Sequence, residues 1–126
     1  MKTLLFTLFV CLTISTYSQD FNGVWADSSN VHFSNCTAIF SVKKDSVFMT
    51  HYLEFKGYPF IEHGSGIVEG NKIKYKVDVT LQVPVWKASR GNHILTLSED
   101  GTTLRGTYED NLGNKGNLVF KRKYPN

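Results

Sequence analysis

Residues able to do chemistry are few in this chain and lie far apart. Four histidines, His32, His51, His63 and His93, are spread along 126 residues, and none pairs at a spacing that marks a metal site. His51 and Glu54 are three apart, which on a strand puts them on opposite faces, and the neighbours Glu62 and His63 also face opposite ways. No CxxC, HExxH or clustered carboxylates occur. Gly64-Ser65-Gly66 echoes a nucleophile elbow, but the elbow needs a G-x-S-x-G frame on a strand-to-helix turn. Here both glycines fall in a strand-like stretch, where they mark a bulge or a sharp bend. Cys36 has His32 nearby and no third group, so it reads as a small buried apolar side chain. The expectation is a non-enzyme with no metal and no cofactor, its histidines either at the surface or satisfied.

The elements that must position these residues begin after a leader. Lys2 supplies a positive start, Leu4 to Ile14 is a short apolar run, and Thr16-Tyr17-Ser18 offers small residues for a cut before Gln19. The run is about half of the ~20 apolar residues a membrane-spanning helix needs. Residues 1–18 are therefore read as a signal peptide and 19–126 as one domain, secreted or periplasmic. Formal charge is +3 over the whole chain and falls by one when Lys2 leaves, too little to argue for nucleic acid or an anionic membrane as partner. No stable membrane insertion is expected after cleavage. Of two cysteines, Cys11 leaves with the leader, so Cys36 has no internal partner and packing must hold the domain together.

Period-two patterning dominates that domain. From Lys72 to Val83, Ile73, Tyr75, Val77, Val79, Leu81 and Val83 alternate with Lys72, Lys74, Lys76, Asp78, Thr80 and Gln82, giving a strand with one apolar and one polar face that stops at Pro84. Further strands are expected at Phe21–Ala26, Thr37–Lys43, Ser46–Lys56, Phe60–Glu69, His93–Ser98, Thr103–Glu109 and Asn117–Lys121. Lys44-Asp45, Gly57 with Pro59, Glu69-Gly70-Asn71, Glu99-Asp100-Gly101 and Asn111 to Gly116 serve as turns. An all-β domain of about eight antiparallel strands follows. It closes as a small up-and-down barrel, which removes both edges, with a two-sheet sandwich as the alternative.

Gly23-Val24-Trp25 at the head of the first strand, with a basic last strand ending in Arg122, resembles the lipocalin and avidin (calycin) pattern. The resemblance implies that Trp25 closes one end of the barrel, with Gly23 permitting close approach and a basic side chain, Arg122 or Lys121, stacked on the indole. It reaches the architecture only, because typical lipocalins are longer, usually carry disulfides and end in a helix. A second resemblance, to small periplasmic protease inhibitors with a similar short barrel, lacks their disulfide and protruding N-terminus.

Function is then expected at the end opposite Trp25. Pro84 to Asn92 is the longest irregular stretch and puts Trp86 near Lys87 and Arg90; loops carry binding function, and Trp and Arg are enriched at interaction hot spots, while the alternative is that Trp86 caps the barrel. With Tyr58 and Tyr75, Trp86 and Arg90 are the candidate ligand-binding residues. The first reading is a non-catalytic, lipocalin-like binding module for a small apolar or aromatic ligand. The others are a protein-interaction or inhibitor module acting on an extracytoplasmic protein through exposed loop aromatics, and a barrel with no ligand.

Overall fold

In the computed structural model, residues 20–124 are described; the leader and its cut before Gln19 lie outside them. Eight strands follow one another in chain order: β1 (Gly23–Asp27), β2 (Phe33–Lys43), β3 (Ser46–Phe55), β4 (Tyr58–Glu69), β5 (Lys72–Leu81), β6 (Arg90–Leu97), β7 (Thr103–Asp110) and β8 (Lys115–Arg122). Each pairs antiparallel with the next, and β8 pairs back onto β1 through Trp25↔Arg122 and Asp27↔Phe120, closing the barrel. The sheet is a barrel and not a sandwich.

Alternation fills the inside. Val47, Met49 and Leu53 on β3, Ile73, Tyr75 and Val77 on β5, Leu95 and Leu97 on β6, and Leu118 and Phe120 on β8 are all buried. One apolar cluster gathers round Trp25, Phe40, Tyr75, Leu95 and Phe120. A smaller one, of Leu53, Phe60 and Val83 with Phe33, Phe55 and Trp86 packed on it, sits towards the other end. Two glycines permit close backbone approach: a Cβ on Gly66 would lie 1.9 Å from the Lys74 carbonyl oxygen, and one on Gly106 would lie 1.7 Å from that of Ile94.

Several boundaries differ from expectation, each for a local reason. β2 starts at Phe33, four residues before Thr37, because a register shift between Ser34 and Thr37, with Asn35 at φ 49°, lets the chain stay paired with β3. β5 stops at Leu81: opposite it the register jumps from Ile61↔Leu81 to Glu62↔Val79. That irregularity turns Leu81 outwards (42% exposed), while Val83, beyond the strand, is buried again. Of the bulge or sharp bend expected at Gly64 and Gly66, no bulge forms; both pair in register, with Val77 and Tyr75, and a Cβ on Gly64 would meet the Tyr75 ring, one on Gly66 the Lys74–Tyr75 backbone. Pro59 does not break the chain but pairs with Glu54 inside β4. The turn is Lys56-Gly57 alone, with φ of 50° and 81°, as a two-residue hairpin with both central residues left-handed requires. Arg90 to Asn92 belong to β6 and not to the irregular stretch.

The Trp25 end is closed by the residues just before β1 and by Arg122 at the end of β8. Trp25 is fully buried and donates its indole N–H to the Phe21 carbonyl at 3.2 Å. The Arg122 guanidinium lies 4.3 Å from the indole centroid and donates to the carbonyls of Gly101, Asn22 and Asp20 at 3.0, 2.8 and 2.6 Å. A Cβ on Gly23 would come within 2.9 Å of that guanidinium. Arg122→Met keeps the aliphatic stem and loses both the ring contact and three charge-assisted hydrogen bonds, so an urea melt should show a loss of about 2 kcal/mol. Arg122→Lys should recover little, because an ammonium cannot reach three divergent carbonyls and the ring together.

Candidate functional site

Between the two apolar clusters lies a polar layer that strand patterning puts inside the barrel. Asp27 is two residues beyond Trp25 on β1, His51 alternates with Val47, Met49 and Leu53 on β3, and Glu62 follows Phe60 by two on β4. Period two points all three inwards, and they are buried at 4%, 3% and 5% exposure. His51 and Glu62 face one another directly in the β3–β4 register. Asp27 reaches His51 across β2, where the residue paired with both Trp25 and His51 is the small Ala38.

The result is a carboxylate–imidazole–carboxylate row. His51 Nδ1 lies 3.0 Å from Glu62 Oε1, and Nε2 lies 3.1 Å from Asp27 Oδ2. The second approach is off the hydrogen-bond direction, so Oδ2 is held by charge and accepts no in-line donor; the other oxygen, Oδ1, accepts the Ser29 N–H at 2.8 Å. Burial alone would pull the imidazole down, but the close Asp27 and Glu62 carboxylates, the second of which accepts its Nδ1 proton, outweigh it, and the His51 pKa is pushed up to about 9. Burial likewise raises Asp27, yet His51 and the Ser29 hydrogen bonds together hold it below the usual carboxylate range. The ring also stands edge-on to Phe60 and Phe120, at 6.4 and 5.4 Å between centroids, so it joins the two apolar clusters.

A second buried pair lies on β5 and β6. Tyr75 OH and His93 Nδ1 are 3.0 Å apart. Burial, helped by the Glu62 and Asp27 charges, pushes the Tyr75 phenol well above its ordinary value, and burial brings His93 below its own. Chemically this layer stores charge and hydrogen bonds, and burial favours the protonated Tyr75 phenol. The Cys36 thiol, which donates to the Asp27 carbonyl at 2.7 Å, is raised by burial and by the Asp27 charge, the opposite of what a reactive thiolate needs. Among the described residues no three His, Cys, Asp or Glu side chains are arranged to hold a metal ion.

The four candidate ligand residues do not converge. Tyr75 is buried at 3% exposure in the Trp25-side cluster. Trp86, expected either to stand exposed or to cap the barrel, is half-buried over the opposite mouth, its ring 4.9 Å from Phe55, 5.2 Å from Phe60 and 5.9 Å from Phe33. The β5–β6 connection folds inwards there because Val83, three residues earlier, is buried and its carbonyl accepts the Trp86 N–H at 2.9 Å. Tyr58 stands outside at the head of β4, 52% exposed, and Arg90 is exposed at the head of β6. Sequence reasoning missed Asp27, His51, Glu62 and His93 as interior groups and Phe33, Phe55 and Phe60 as the partners of Trp86.

The depression over Ile39, Ser41, Phe48, Met49, Thr50, His63 and Gly64 is shallow and open, and it lies on the barrel's outer wall. Inside, Phe40, His51, Tyr75 and Phe120 occupy the middle of the barrel, with ring centroids 5.4 to 5.8 Å apart between successive contacts. No protein-family model matches this chain, and no curated protein is similar enough in sequence to count as a relative.

Proposed function

We propose that the chain is an exported, non-catalytic binding module on a calycin-like barrel, and that it docks an extracytoplasmic protein through the Trp86 end. The observation that carries this reading is the distribution of exposed apolar side chains. Connections β1–β2, β3–β4, β5–β6 and β7–β8 all lie at that end. Each, or the strand residue beside it, holds one large hydrophobic in solvent: Val31 at 93%, Tyr58 at 52%, Val85 at 69% and Leu112 at 57% exposure. Exposed large hydrophobics also stand on the outer wall, at Ile39, Phe48, Ile67 and Ile94, and beyond β8 at Tyr124. At the Trp86 end they ring the mouth, one at every connection, the arrangement of an interaction face, and Tyr58, Arg90 and the half-buried Trp86 are the residue types that anchor such faces. The calycin-like reading is supported by eight-strand closure and by Arg122 over Trp25 beside Gly23. Carriage of a small apolar molecule inside the barrel is the weaker reading, because aromatic rings already fill the interior.

Immobilised protein should capture a partner from an extracytoplasmic extract. The double variant Val85→Asp with Leu112→Asp should weaken that capture about tenfold or more, equivalent to at least ~1.4 kcal/mol. Ile67→Asp, on the outer wall of β4, should leave it unchanged. Equal capture by the loop variant, or quenching of tryptophan fluorescence by neutral apolar molecules such as fatty acids, would count against protein docking and return the interior carrier to first place.

A further inference from the structure

The mouth of the barrel has an aromatic wall and an acidic floor. Phe33, Phe55 and Phe60 surround the Trp86 ring, with Phe33 and Phe55 6.3 Å apart, edge to face. Next below Phe60 on the inner face of β4 comes Glu62, and His51 and Asp27 complete that layer. Two carboxylates here face one imidazole. Among the described residues neither carboxylate has a second cationic partner, and Asp27 Oδ2, on a residue 4% exposed, accepts no hydrogen bond. Excess negative charge out of water is costly unless a cation compensates it. The protein itself already rests a cation on this cage: Lys56 Nζ lies 5.4 Å from the centroid of the Phe55 ring.

Trp86 is placed to give way. Its connection is tied within itself by Trp86 N–H to the Val83 carbonyl and by Gln82 Nε2 to the Ala88 carbonyl, both at 2.9 Å. Among the described residues it is tied outwards only at Ser89, whose carbonyl accepts from Val79 N–H and whose N–H donates to Asn111 Oδ1. The indole can therefore turn out of the cage without breaking a strand pair. What enters in its place lies among three aromatic rings, beside Leu53 and Val83, with the carboxylate layer next along the strands. Aromatic rings with negative charge near them favour a cation over a neutral group of the same shape.

We infer that the Trp86 end binds an alkylammonium group, which takes the place of the indole between Phe33, Phe55 and Phe60 above the Asp27–His51–Glu62 layer. Such a group can come from a free amine or from a lysine of a docked partner. The site stands on the cage and its floor and not on the docking proposal, so either can fail alone.

Choline and its neutral isostere 3,3-dimethylbutan-1-ol separate charge from shape in a calorimetric titration. Choline should bind about 2- to 30-fold more tightly, the range expected of a cation–π preference, and should change the fluorescence of the wild type but not of Trp86→Phe. Glu62→Gln, which keeps the rings and removes one charge of the floor, should lower the preference. If that variant does not fold, Phe33→Leu, which thins the half-buried cage wall, should weaken choline more than the alcohol. A short lysine peptide compared with its norleucine counterpart tells a partner's side chain from a free amine. Equal binding of choline and the alcohol, or binding of neither, overturns the inference; the capture assay with the loop variants judges docking separately.

Discussion

Replacing His51 with alanine is expected to destabilise the barrel by about 3–5 kcal/mol, the usual consequence of breaking a buried ion pair from one side. In a domain of this size that corresponds to a fall in Tm of roughly 15 °C or more. The reason is what stays behind. Asp27 and Glu62 are 4% and 5% exposed and each has its ion pair with His51, so the variant leaves two carboxylates in low dielectric with no counter-charge. The lost ring also bridged Phe60 and Phe120, and its removal leaves a void between the two apolar clusters. Charge and void can be told apart. Adding Asp27→Asn and Glu62→Gln to His51→Ala removes the unpaired charges and keeps the void, so the triple variant should recover a good part of the loss. Urea melts of the three proteins at pH 6 decide it. A His51→Ala protein as stable as the parent, or a triple variant no better than the single one, would mean that the row contributes little.

What could be read in advance follows from the range of the interactions. The alternation of β5 is legible because it depends on residue type and position within a strand, Ile73, Tyr75 and Val77 announcing their face by themselves. The closure over Trp25 by Arg122 or Lys121 is implied only by the resemblance to the calycin pattern, and the structure places Arg122 there. The His51–Glu62 pair depends on cross-strand register. A two-residue turn at Lys56-Gly57 pairs Phe55 with Tyr58 and, four steps on, His51 with Glu62. Placing the break at Gly57 together with Pro59 lengthens the turn and hides that pairing. Proline misleads there because its missing N–H suggests a stop, whereas Pro59 is exposed and tolerated in the ladder. Asp27 was further out of reach: it meets His51 across an intervening strand, over Ala38, a contact that exists only once the sheet has curled. The available signal was parity, since Asp27, His51 and Glu62 each fall on the apolar side of their strand. Whether Trp86 stands exposed or caps the barrel is left open by the sequence for a similar reason. Its neighbours Pro84, Val85 and Lys87 are exposed, and only the buried Val83 turns the indole inwards.

Stability against pH should form a dome with its summit near pH 6.5, the ordinary histidine value. His51 titrates at about 9 in the fold. A raised value means that its contribution is complete below about 6.5 and is lost as pH climbs through 9, and the shift corresponds to the order of 3 kcal/mol. Cys36 and Tyr75, both raised, extend that alkaline decline, because the unfolded chain releases their protons first. On the acid side the signs reverse. His93 is lowered by burial, so the unfolded chain takes up its proton first and stability falls as pH drops below 6.5. Asp27 is lowered too; its contribution is present above about 3.9 and is lost as pH falls through its folded value. Urea midpoints measured from pH 3 to 10 should trace both limbs. Phe substituted for His93 should flatten the acid limb above pH 5, and Glu62→Gln, which takes away one of the two partners holding the His51 proton, should make the limb between 6.5 and 9 shallower. A midpoint that stays level or rises from pH 6.5 to 9 would show that His51 is neutral in the fold, and would remove the imidazolium from between Asp27 and Glu62.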